Sequence, residues 1–197
     1  MAILRVQVFE LEIGGGDYPP PLVGDRATYD LQCGRIGAAS NPELANAIDV
    51  VVEPRNGGRA VQGLNYDGSP NGDPHYDMVL RGEGLLAFYR STQLLEGRVH
   101  LVAELHADAY MGASEDAATT GVIRRTQMCT WASLPGADGR HTTRGTLELS
   151  ELTTKRPRFH RGDLVSSDDS LVPPPATSWT RTSAILVDLD LDTTIGR

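Results

Sequence analysis

Glu104, His106 and Asp108 occupy alternate positions of the segment 99–110, whose other phase is Val99, Leu101, Ala103, Leu105, Ala107 and Ala109. In a β-strand, residues two apart point the same way and stand about 6 to 7 Å apart along the backbone. One face of this strand is therefore core. The other places an imidazole between two carboxylates, a donor set able to converge on one divalent metal ion, as a metal-dependent enzyme requires. His100 lies too far along the strand to join them, and His75, His141 and His160 fall in loop-like sequence as spare ligands. The competing reading is a solvated face of mixed charge.

Two other segments carry ligand chemistry. From Asp67 the sequence reads DGSPNGDPHYDM, and Asp67, Ser69, Asn71 and Asp73 with Gly72 resemble the opening of a calcium-binding EF-hand loop. The twelfth position, where a bidentate glutamate belongs, is Met78, and Asp77 comes one residue early. The same residues suit Asx turns, in which a short carboxylate accepts from the backbone two residues on. The second segment is KRPRFHR, where Lys155, Arg156, Arg158 and Arg161 form a candidate anion or partner site. Residues 124–161 carry a local charge of +5 in a chain of −8. That balance opposes general attraction to nucleic acid, because the remaining residues would repel a polyanion. No GxSxG elbow or phosphate-binding loop is present, and the glycines at 14–16 are followed by no helix pattern. The tripeptide Arg161, Gly162, Asp163 recurs by chance at this length.

The elements that must position these groups read as strands. Leu4, Val6 and Val8 alternate, and the apolar phase then moves to Phe9, Leu11 and Ile13, which predicts a β-bulge or bend near Val8 and Phe9. Residues 14–21, GGGDYPPP, form a loop. Residues 26–33 alternate as a half-buried strand, 41–47 (NPELANA) suit a short helical turn, and 48–53 (IDVVVE) suit a buried strand. Residues 54–75 read as a long loop around at most one short strand. Residues 85–95 and 97–110 read as a hairpin meeting near Glu96 and Gly97, and 120–134, 145–152 and 183–193 supply three more strands. The prolines at 173–175 mark an extended crossover.

The resulting expectation is one all-β domain over residues 1–197: an antiparallel β-sandwich or barrel of about seven to eight strands, with long Gly/Pro-rich loops and at most a short helix. The 197 residues are 40% apolar and 22% charged, near globular averages. The N-terminus lacks a secretory pattern, and no apolar run approaches the length of a membrane span, so a soluble cytoplasmic protein is expected. Cys33 and Cys129 are expected to be buried inert thiols.

Three functions follow, in order. The first is a non-catalytic β-sandwich binding or self-assembly module, with a homo-oligomer or protein partner. The second is a metal-dependent enzyme with Glu104, His106 and Asp108 on a divalent ion, and the third a calcium-dependent ligand-binding module. The strand phases place Leu101, Ala103, Leu105, Ile185, Val187, Leu189 and Leu191 in the core, with Asp188 and Asp190 outward. Leu189→Asp should therefore cost several kcal/mol in urea denaturation, by burying an unpaired charge; a variant as stable as wild type would refute this phase.

Overall fold

The computed structural model describes residues 3–37, 40–109, 118–135, 142–152 and 179–192. They form nine strands: β1 (Ile3–Phe9), β2 (Arg26–Ile36), β3 (Ala45–Pro54), β4 (Tyr76–Arg81), β5 (Leu86–Ser91), β6 (Gly97–Ala107), β7 (Ala118–Pro135), β8 (Thr142–Glu151) and β9 (Trp179–Leu191). One short helix, α1 (Glu10–Gly15), follows β1. Eight strands close into a barrel in the order β2-β5-β4-β3-β6-β1-β9-β7, and β2–β7 pairing completes the ring. β8 extends the sheet beyond β7. Among the described residues no helix is long and apolar enough to cross a membrane.

Alternation fills the barrel. Leu4, Val6 and Val8 of β1, Tyr29, Leu31 and Cys33 of β2, Leu101, Ala103 and Leu105 of β6, and Ile185, Val187 and Leu189 of β9 are buried in one cluster. A smaller cluster, with Leu44, Cys129, Trp131, Leu147, Ala184 and Leu186, packs on the opposite phase of β7 and β9. Cys33 and Cys129 are both free and buried, and burial pushes each thiol up to about 12.

All seven residues assigned to the core from alternation are buried there. Asp190 departs from the expectation: it points away from the barrel core yet is only 4% exposed. Arg124 on β7 lies over it and donates from Nε and Nη2 to Oδ2 at 2.8 and 2.6 Å. The phase shift after Val8 is not a bulge. β1 ends at Phe9 and α1 begins, so the period changes because the element changes. Residues 41–44 form a single turn: the Asn41 side chain accepts from Glu43 N–H, and β3 starts at Ala45. The expected hairpin of 85–95 with 97–110 does not form. β5 pairs with β4 across the turn Gly82–Leu85 and runs parallel to β2, while β6 pairs with β3, β1 and β2.

Closing this barrel makes two strands share one edge of a third. β6 has β2 along one edge at Ala103 and Leu105, and its other edge passes from β3 at Ala103 to β1 at Leu105. Such a fork strands backbone groups that need partners. The buried Asn46 side chain supplies them: Arg5 N–H donates to its Oδ1 at 2.7 Å, and its Nδ2 donates to Arg5 O at 2.9 Å. Glu104, 6% exposed, completes the junction by accepting from Asn41 N–H at 2.6 Å and from Gln7 Nε2 at 3.5 Å. β2 divides too, pairing with β7 through Asp30 and with β6 from Leu31. There Asp30 N–H donates to the Tyr18 hydroxyl at 3.1 Å. Between β7 and β5, the buried Thr119 hydroxyl accepts from Leu86 N–H and donates to Leu86 O, at 2.9 and 2.7 Å.

Asn46→Ala removes both partners of the Arg5 backbone at once and should lower the unfolding free energy by about 2–4 kcal/mol. Urea denaturation measures it; a loss below half a kcal/mol would show that the fork does not depend on this amide.

Candidate functional site

On β6 the ionisable face is less solvated than alternation suggests. Glu104 is committed to Asn41 and Gln7 at the fork. His106 is half-buried, with Nε2 3.2 Å from Gln32 Oε1 on β2 and its ring tilted against Phe9 at 5.5 Å. Gly34 makes room for this ring, since a Cβ there would sit 3.3 Å from both Nδ1 and Cε1. Asp108 follows the strand, and its N–H donates to Asp30 O. The three proposed metal ligands thus share one phase of the chain, but Glu104 is buried and it and His106 are turned to different partners. Among the described residues no group of three or more His, Cys, Asp and Glu side chains is arranged to hold a metal ion.

The loop beginning at Asp67 uses its carboxylate internally. Asp67 Oδ1 accepts from Ser69 N–H at 3.0 Å and from Ser69 Oγ at 2.6 Å, and these bonds hold its carboxyl below the usual range. Asn71 N–H donates to Gly63 O, and Asp73 stands exposed. This is the Asx-turn arrangement. Lys155, Arg156, Arg158 and Arg161, with His141 and His160, lie outside the described residues.

A constellation that sequence reading missed lies across β6, β3 and β4. Register sets Asp49 beside His100, and Val51 between Arg98 and Arg81. These side chains, with Glu83 on the β4–β5 turn, line an open groove of about 510 Å³. His100 Nδ1 is 2.9 Å from Asp49 Oδ1. Arg81 is held by Glu53 through Nε and Nη2 at 3.2 and 3.3 Å. Arg98 and Glu83 make no hydrogen bond or ion pair with any described residue. Val51, 36% exposed, lies between the two arginines. Asp49 and His100 sit on the outward phase of their strands, but only the pairing of β3 with β6 brings them together.

The groove is wet. The His100 side chain is 61% and that of Asp49 89% exposed. An imidazole and carboxylate in open solvent lack the water-excluded setting in which fixed dipoles stabilise a transition state strongly. What the arrangement offers is recognition: an arginine whose donors have no partner among the described residues, the partly exposed Val51, and the carboxylates of Asp49 and Glu83. The chain matches no protein-family model, no curated protein and no solved structure.

His106 generates a pH prediction. Burial pushes its imidazole below the ordinary 6.5, against the opposing pull of Asp108 and Glu104. As pH falls the unfolded chain takes up this proton first, so the group's contribution to stability is present above about 6.5 and is lost below it. The stability advantage of wild type over His106→Gln should shrink between about pH 7.5 and pH 5 in urea denaturation. An advantage equal at both values would refute the assignment.

Proposed function

We propose that this chain is a non-catalytic β-barrel binding module whose ligand face is the groove over β3, β4 and β6. The observation that carries the reading is Arg98, a guanidinium without a carboxylate partner among the described residues, standing beside exposed Val51 in an open groove of about 510 Å³. A guanidinium presents a fixed fork of donors that fits a carboxylate or phosphate. The ligand class is therefore a small organic anion with an apolar body: its charge goes to Arg98, its body lies on Val51, and a polar group meets His100. The barrel interior is taken up by packed side chains, which favours an outer groove over an enclosed cavity. Two buried, unbridged thiols favour a reducing, cytoplasmic setting.

Titration calorimetry with succinate and with inorganic phosphate tests the reading. Arg98→Ala should weaken binding about 10- to 100-fold, the worth of a charge-assisted hydrogen-bond pair. The ligand should be recovered chemically unchanged. Equal affinity in the two proteins, or no heat with either anion, would overturn the proposal.

A further inference from the structure

Residues 61–75 project from the Tyr76 end of β4 as a stiff arm. Val61 and His75 exchange backbone bonds at its base, at 2.7 and 2.9 Å, and Leu64 and Pro70 bridge again further out. Asn65 N–H donates to Ser69 O at 2.8 Å, and Asn65 Nδ2 donates to Ser69 Oγ at 2.9 Å. An arm already cross-linked by its own hydrogen bonds costs little to immobilise on binding. Its tip presents the apolar groups that folding normally hides: Tyr66 is fully exposed and Leu64 is 63% exposed. Asp67 and Asp73 add negative charge, and no Lys or Arg occurs between residues 60 and 80.

We infer that the arm tip docks into the β3–β4–β6 groove of a second copy of this chain, an inference that rests on the groove being the ligand face. The fit is chemical. Tyr66 lies on Val51 and stacks under the Arg98 guanidinium, a favourable geometry for an aromatic ring and a cation. Asp67 keeps Oδ1 on Ser69, and its second carboxylate oxygen, Oδ2, brings to Arg98 the charge that this arginine lacks among the described residues. The lining of the groove contains no residue of the arm, and the two features sit toward opposite ends of β4, so the occupant comes from another molecule. A contact of one loop tip is smaller than a standard interface, and the association is weak and concentration-dependent. An aromatic anchor nonetheless dominates such a contact.

Sedimentation of the full chain from about 10 μM to about 1 mM covers the range expected of an interface this small. Wild type should shift from monomer to larger species across that range. Tyr66→Ala, which keeps the groove, and Arg98→Glu, which keeps the arm, should each associate at least about tenfold more weakly. An equimolar mixture of the two variants should regain a two-chain species, because one supplies a groove and the other an arm; this recovery also shows that both variants are folded. Saturating succinate should dissociate the wild-type assembly. Wild type monomeric at every concentration, variants that assemble like wild type, or a mixture that stays monomeric would each overturn the inference. Succinate binding that depends on Arg98 in a strictly monomeric protein would defeat the arm contact alone, while loss of both would defeat the groove reading as well.

Discussion

The barrel depends on one requirement of the backbone: where two strands share a single edge of a third, someone must satisfy the amides and carbonyls at the fork. Here that work falls to side chains. Asn46 carries both a donor and an acceptor at the right spacing to stand in for a missing strand beside Arg5. Tyr18 accepts from Asp30 N–H where β2 passes from β7 to β6, and Thr119 serves both polar groups of Leu86. An unpaired buried peptide group costs about as much as a lost hydrogen bond, so three such surrogates weigh heavily against a total stability of roughly 5–15 kcal/mol. The fork also explains why Glu104, on a strand face expected to meet solvent, is buried: its carboxylate closes the Asn41 turn over the junction.

Charge is used in the same way elsewhere. Asp190 on β9 is sealed beneath the Arg124 guanidinium, which lets a strand face with outward phase be covered without an apolar residue. Arg125 holds Glu151 across the β7–β8 pair, a more exposed version of the same device. In the groove, by contrast with these pairs, Arg98 and Glu83 have no such partner among the described residues. Pairing stabilises the sheet, and what is left unpaired is available to a ligand.

Period and turn chemistry revealed most of the architecture. The inward phases of β6 and β9 were legible because long runs of alternating Leu, Ala, Ile and Val admit a single face. β4 escaped notice: its Met78, Val79 and Leu80 are all buried, so no alternation announces it, and residues 76–84 carry no other strand signal. With β4 missing, β5 was assigned to the wrong neighbour. The Asp67 turn was legible because an Asx turn is a local event. The groove was not, since Asp49 and His100, or Arg98 and Arg81, meet only through register, and register is a property of paired strands rather than of either sequence alone. Asn46 was unremarkable for the same reason. An asparagine in a turn-rich stretch gives no hint that a strand from far away will arrive beside it.

The place of β1 has a consequence for how the protein is made. Ile3–Phe9 lies between Gly97–Ala107, to which it runs parallel, and Trp179–Leu191, to which it runs antiparallel. A ribosome delivers these three segments in order, so the earliest strand emerges with neither neighbour in existence. Its first edge is covered only after β6 has left the exit tunnel, and its second only after β9 has. Until then Leu4, Val6 and Val8, all buried in the finished barrel, belong to an uncovered apolar strand, the kind of segment that pairs with the wrong chain. Contacts so distant in sequence also form slowly, because the loop must close before the pairing rewards it. Completion of the barrel therefore waits for β9, and a chain stalled before β9 leaves β1 with an open edge for a chaperone, or for another stalled chain, to take.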